Sequence, residues 1–303
     1  METEYIKCDL CGKNDTVLFF TENNYNVVRC RNCGLVYVNP RPKIKDLENW
    51  YSNTTEEYSG YINYYEQRQT HHIFKANRLL NEIKYFKNAP GRLLEIGCGG
   101  GFFLDSAKTL GWECTGIDPT EKFVNYARQQ LGLDNVVKGV FELYYFPDNY
   151  FDVIVMFDVL SHIFSPTAVL TKVNKILKED GLFVFSTGNG ADFNKKEDLK
   201  IWGEQWSTPD HLYHLSEQLI YKYLDKTNFN MLKLKKFDTL ERIFLPESLI
   251  QKSDSILKNL IKTILIKSSV LVNLAKFLLQ RYYYSLLNRT PHYSLVTYAT
   301  RKI

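Results

Sequence analysis

The chain carries no excess of either charge: 38 Lys and Arg stand against 34 Asp and Glu in 303 residues, a net +4. So mild a balance gives no whole-protein argument for nucleic acid as a partner. No stretch reaches the roughly 18 uninterrupted apolar residues that cross a bilayer. The opening METEYIKCDLC has acids where a secretory signal has its basic segment, and no apolar run follows. The expected location is therefore the cytoplasm. Cysteine is sparse, with six in all, and in a reducing compartment regularly spaced cysteines point to metal or chemistry rather than disulfides. Charged residues at 24 % and hydrophobic ones at 45 % argue against wholesale disorder. The length is enough for a sizeable core in one main domain with attachments.

Four of the six cysteines form Cys8-x-x-Cys11 and Cys30-x-x-Cys33, each pair followed by glycine, Gly12 and Gly34. A knuckle needs a tight turn at that point so that backbone N–H groups can face thiolate sulfur, and glycine permits it. TVLFF, YNVVRC and LVYV read as short strands around the knuckles. Four thiolates so arranged suit tetrahedral Zn²⁺ in a closed structural site with no catalytic position. Two redox CxxC pairs are the alternative, but neither stands where a strand runs into a helix. NPRP at 39–42 marks the end of this module, a zinc ribbon over 1–45. A Tyr-rich helical lid or linker over 46–90 follows it.

The most informative run is GRLLEIGCGGGFFLDSAKTLGWECTGIDPT, residues 91–120. It reads as a buried strand, a turn that only small residues make, a helix, and a second strand. Gly97, Gly99 and Gly101 let the backbone approach a ligand, and the helix that follows offers free N–H groups. Asp118, at the end of the second strand, is placed for a ribose diol. Such a glycine run alone serves NAD, FAD and S-adenosylmethionine alike. Glu95 separates them: a carboxylate beside a pyrophosphate is repelled, whereas beside the ammonium of a methionine moiety it is attracted. Further strands at FDVIVMF, LFVFSTG and NMLKLKKF and a last one at HYSLVTYATRK predict a seven-stranded α/β sheet, Rossmann-like and doubly wound, whose final strand inserts late and antiparallel.

With LLEIGCGGG, GID, GVFE, FPDNYFDVIVMFDVLSH and LKEDGLFVFS in place, residues 90–240 and the last strand resemble the class I S-adenosylmethionine-dependent methyltransferases. RCRNCGLVYVNPRP in front makes the chain similar to the zinc-ribbon members found in polysaccharide and deoxysugar biosynthesis. The resemblance implies that Glu95, Gly97, Cys98 and Gly99 line the methionine end of the cofactor, with Gly101 also in the binding turn. It implies Asp118 at the ribose, Pro119, Val140 and Phe141 at the adenine, and Phe157 with Asp158 closing the methionine side. The family often has an acid where this chain has Val140, and Glu before His where it has Ser161.

Methyl transfer to a hydroxyl needs a proton acceptor, for which histidine is best suited. His162 ends the DVLSH motif, and PDHLYHLS at 209–216 brings His211, Tyr213 and His214, with Ser216 as the N-cap of the next helix. A base role, with His211 favoured, stands beside an aromatic-packed loop as the bland alternative. No further ligands lie close in sequence, so a metal is not expected there. Trp202, Glu204, Gln205, Trp206 and Asp210 in the same segment suit a ring-bearing acceptor such as a sugar. Residues 246–289 form a basic amphipathic insertion, with seven Lys or Arg and only Asp254 as an acid between 251 and 289. Through 250–285 it would lie on the inner face of a membrane, cover a lipid-linked substrate, pack on the domain or pair two copies as a homodimer. The expectation is a methyltransferase acting on a small molecule, a sugar or glycan precursor. The alternatives are an RNA methyltransferase that binds through its ribbon, for which no Asn-Pro-Pro-Tyr motif speaks, and a non-catalytic cofactor-binding scaffold.

Overall fold

The computed structural model describes residues 2–44, 46, 69–190, 208–237 and 294–302. Trp202, Glu204, Gln205, Trp206, the 246–289 insertion and the tyrosines between 51 and 65 lie outside the described residues. One compact unit comprises Met1–Lys235 with Leu295–Ile303, and a second spans Lys236–Ser294. No helix among the described residues is long and apolar enough to cross a membrane.

The cysteine module is an antiparallel sheet of β2 (Thr16–Glu22), β3 (Tyr25–Cys30) and β4 (Val36–Val38), with β1 (Thr3–Glu4) pairing β5 (Arg41–Pro42) beside it. Asn23 and Asn24 take positive φ at the β2–β3 turn, as a two-residue hairpin requires.

Helix α1 (Gln69–Phe86) leads into β6 (Arg92–Ile96), α2 (Phe102–Thr109), β7 (Glu113–Asp118), α3 (Glu121–Leu131) and β8 (Val136–Lys138). Then come β9 (Phe151–Phe157), α4 (Pro166–Ile176), β10 (Leu177–Gly188), β11 (Tyr213–His214), α5 (Glu217–Lys226), β12 (Phe229–Phe237) and β13 (Ser294–Arg301). The main sheet runs β8-β7-β6-β9-β10-β13-β12. Strand order reverses at β6, with β7 on one side of it and β9 on the other, and all the pairs from β8 through β10 are parallel. The last strand of the chain enters between the fifth and sixth of the sheet. Val153, Ile154, Val155 and Met156 of β9 are wholly buried, as befits a central parallel strand covered on both faces. Ala76, Leu80 and Ile83 of α1 join Leu104, Ala107, Val124 and Ala127 in the core on this sheet. The amphipathic helix α4 stops at Ile176 and Leu177 already pairs with Phe151, with a register shift before Leu182. Gly181 thus lies within β10 rather than in a turn before it.

The stretch 209–216 departs from expectation. It is no simple loop: Tyr213 and His214 form β11, which pairs antiparallel with Tyr37 and Val36 and makes the ribbon sheet four-stranded. Ser216 caps α5, its hydroxyl accepting the Leu219 N–H at 3.4 Å.

Candidate functional site

In an open parallel sheet, ligands lie beyond the carboxyl ends of the strands where the order reverses. Here that place is formed by the turns after β6, β7, β9 and β10. After β6 the chain turns through Gly97, Gly99 and Gly101, all with positive φ. Gly97 is forced to be glycine twice over, because a Cβ there would also lie 2.3 Å from the Val159 side chain. The amides of Gly97 and Cys98 donate to the Ile117 carbonyl, and Asp118 accepts the N–H of Gly99 and of Thr120, both at 2.9 Å. Burial raises the Asp118 carboxyl, and these two amides pull it only part of the way back. Each of its oxygens keeps lone pairs for a ribose hydroxyl.

Glu95, at the end of β6, is 5 % exposed and its Oε2 is buried with no hydrogen-bond partner. Burial first, and then the charge of Asp118, hold its carboxyl well above the usual range. A buried carboxylate without a counter-charge is costly, and an ammonium group of a ligand would relieve it. This fits the methionine end of S-adenosylmethionine. The Cys98 thiol is buried and pushed up, chiefly by burial, which makes it an inert filler. Pro119 and Val140 are half-buried. Phe141 is buried against Phe146, with the Lys172 ammonium 4.7 Å from its ring centre. Phe157 meets Phe103 edge-on, and Asp158 takes a positive φ while accepting the Ser186 hydroxyl at 3.0 Å.

The histidine cluster is assembled from distant segments. His162 Nδ1 lies 3.0 Å from the Asp210 carbonyl oxygen and 3.2 Å from its Oδ1. Burial lowers the His162 pKa, but the hydrogen bond and charge of Asp210 outweigh it and hold the ring above its ordinary value. The His211 ring is 4.4 Å from that of His162. Burial, and then the charge of His162, push His211 down to about 4, so it is neutral near pH 7. Its Nδ1 is buried and makes no hydrogen bond.

Tyr213 and His214 lie elsewhere, in the ribbon sheet. The Tyr213 hydroxyl donates to the Phe164 carbonyl at 2.8 Å and receives Arg41 at 3.2 Å, and its ring stacks on Tyr37. His214 is 3 % exposed and kept neutral by burial. The structure thus brings together two of the four histidine and tyrosine candidates, His162 and His211, and adds Asp210. No ligand cluster stands close to 211 in sequence, but the fold brings His162 to Asp210 and His211. One ligand atom each from His162, Asp210 and His211 lie within 4.8 Å of one another, because the turn after β9 folds onto a segment 48 residues later.

The four ribbon cysteines also converge within 4.8 Å, with Cys8 and Cys33 sulfurs 3.4 Å apart and Cys11 and Cys30 3.5 Å apart. A tetrahedral ion with Zn–S near 2.3 Å holds sulfurs about 3.8 Å apart, so small relaxation seats one. Gly12 and Gly34 donate to Cys8 and Cys30 from left-handed turns. Burial raises the Cys30 thiol, but the amides of Cys33 and Asn32 bring it down to about 7. The module is bolted to the main domain by Asp9, which no sequence motif singles out. Its carboxylate accepts the Ser165 hydroxyl at 2.5 Å, the Thr167 N–H at 2.9 Å and the Thr167 hydroxyl at 2.8 Å, at the N-terminus of α4. Lys226 donates to the carbonyls of Asp9 and Leu10, and Lys222 to that of Cys33.

A family profile described as a methyltransferase domain matches residues 66–234, more than half of the chain. The chain belongs to this methyltransferase-domain family. Among curated relatives, a ubiquinone biosynthesis O-methyltransferase of Ruegeria sp. (strain TM1040) is 31 % identical over 157 residues, 46 % of this chain and 63 % of that protein. One of the same name from Xanthomonas oryzae pv. oryzae (strain PXO99A) is 32 % identical over 106 residues, 33 % of this chain and 44 % of that one. The chain therefore spans less than two thirds of the length of these relatives, whose names are not those of sugar-pathway enzymes. Among solved structures, Haemonchus contortus phosphoethanolamine N-methyltransferase 2 in complex with S-adenosyl-L-methionine superposes with a TM-score of 0.58 at 18 % identity, covering 95 % of this chain and 71 % of that one. A SAM-dependent methyltransferase from Archaeoglobus fulgidus gives 0.51 at 20 % identity, covering 80 % and 99 %. At such identities the shared property is the methyltransferase fold.

Proposed function

We propose that the chain is an S-adenosylmethionine-dependent methyltransferase acting on a hydroxyl oxygen of a small molecule. The observation that carries this reading is the buried Glu95 carboxylate with an unpaired oxygen on β6, beside β9, whose following turn supplies His162 to the His162–Asp210–His211 cluster. When bound, S-adenosylmethionine supplies an electrophilic methyl group on a sulfonium. Glu95 would receive its ammonium group, Asp118 its ribose hydroxyls, and the backbone of Gly97–Gly101 the close approach. Pro119, Val140 and Phe141 would face the adenine, with Phe157 and Asp158 beside the methionine. On the other side an imidazole takes the acceptor's proton. His211, neutral near pH 7 with a buried nitrogen making no hydrogen bond, is the proton acceptor, and His162 is steadied by Asp210. The relatives' names favour an oxygen acceptor. The finer reading is a sugar-like or glycan precursor, free or lipid-linked. A hydroxylated precursor in ubiquinone biosynthesis, the process in the relatives' names, is the second reading. We assign Zn²⁺ to the four cysteines in a structural role.

The test follows labelled methyl from S-adenosylmethionine into a nucleotide-sugar pool and into a hydroxylated polyprenyl phenol. The His211→Ala variant should keep cofactor binding and lose transfer by roughly 10²–10⁴-fold. Transfer to neither pool, or equal turnover in the variant, counts against the reading.

A further inference from the structure

Three side chains at the crevice rim, His162, Asp210 and His211, share a feature that a proton acceptor alone does not need. Two imidazoles and a carboxylate present ligand atoms within 4.8 Å of one another. His162 Nδ1 faces Asp210 Oδ1 across 3.2 Å, while His211 Nδ1 is buried and makes no hydrogen bond. A second carboxylate, Asp158, is near enough to act on the charge of both rings. A divalent cation replaces a proton readily where several lone pairs converge, because it satisfies all of them at once. Two nitrogens and one oxygen suit first-row transition ions better than Mg²⁺ or Ca²⁺, which prefer oxygen alone. Three protein ligands also leave positions open, as reactive rather than structural sites do.

We propose that His162, Asp210 and His211 bind a divalent transition-metal ion, separate from the ion of the four cysteines, at the acceptor side of the crevice. This rests on the proposed methyltransferase reading, and the seated ion takes over the proton-removing role given there to His211. With the ion seated the imidazoles are ligands, and a hydroxyl placed on an open position loses its proton to solvent more easily because the cation stabilises the oxyanion. Acceptors with an oxygen able to reach the ion are then preferred.

The experiment titrates Co²⁺ into the full-length protein with its cysteine site already filled by zinc, and follows the visible bands. Binding by imidazole and carboxylate gives weak d–d bands, whereas exchange into the cysteine site adds strong near-ultraviolet thiolate charge transfer. The expected result is one equivalent bound without thiolate bands. Affinity should fall by at least 10–100-fold in His211→Ala and in Asp210→Asn. It should be unchanged in Asp148→Ala, an exposed acid paired with Lys175. Thermal unfolding of each variant confirms that it is folded. Absence of such uptake by the wild type, or equal uptake by both variants, overturns the proposal. If His211→Ala still abolishes methyl transfer while no Co²⁺ binds, the imidazole reading stands and the metal falls.

Discussion

The cofactor side and the acceptor side of the crevice are built in opposite ways. The first is local: Glu95, the three glycines and Asp118 lie within 24 residues, and the pairing of β6 with β7 sets Glu95 opposite Gly116 and Ile96 opposite Ile117. The second is gathered from three parts of the chain. His162 follows β9, Asp210 and His211 precede β11, and β11 is held by the ribbon strand β4. The Leu212 and Tyr213 amides donate to the Ser161 carbonyl, while Val38 donates to the Leu212 carbonyl. Asn23 and Glu22 of the ribbon grip the backbone of Thr208 at 2.8 and 3.0 Å. A local site can form wherever its own turn forms. A gathered one depends on every element that holds its pieces.

The largest expected effect follows from that dependence. Cys11→Ser should cost the ribbon the Zn²⁺ we assign to it, and loss of a structural metal is among the most destabilising single changes, more than about 4 kcal/mol. Hydrogen exchange should then show protection lost in β2, β3, β4 and β11 but kept in β6 and β9, with S-adenosylmethionine still bound by calorimetry and methyl transfer gone. If cofactor binding falls together with the ribbon, the two sides are not separable and the comparison breaks.

Glu95→Gln tests the cofactor side from within. Loss of a charged partner for the ligand's ammonium removes about 1.5–3 kcal/mol, roughly 10–150-fold in affinity by titration calorimetry. The same change should stabilise the ligand-free protein. Because the folded carboxyl is raised above its ordinary 4.5, wild type and variant melt alike below that pH. The wild type falls behind as pH rises past 4.5, where the buried group must either hold its proton or carry an unpaired charge. Equal melting at pH 7 would mean that Glu95 has a partner in the free protein.

The cofactor side was legible in the sequence for the reason that it is local. Spacing alone put Glu95, the glycine turn and Asp118 on one strand–turn–helix–strand unit, just as two CxxC pairs with their glycines announced a ribbon. The acceptor side was half legible. His162 and His211 stood out as histidines in motifs, but two residues of strand at Tyr213–His214 carry no periodicity, and their partner, β4, lies more than 170 residues away. Asp210 looked like one acid among several in a polar segment, and Asp9 like an ordinary residue between two cysteines. Their roles come from contacts at separations of 48 and 156 residues, which no local pattern encodes.

The smallest effect belongs to the bolt between the two modules. Asp9→Ala removes the acceptor from the N-terminus of α4, where Ser165 still caps Ala168. A loss of about 1–2 kcal/mol in denaturant unfolding is expected, with the Co²⁺ response of the rim unchanged. A change in that response would show that the knuckle and the rim are more tightly joined than by β11 alone.

The fourth strand of the ribbon sheet has a consequence for inheritance. A module that borrows an edge from residues 213–214 cannot be traded as the block 1–45. Deleting or transplanting that block would leave Tyr213 and His214 without their partner strand, open to pairing with any passing chain. The natural unit of exchange, in recombination as in engineering, is the ribbon together with the segment that answers it, and lineages that lose one should be found to have rebuilt the other.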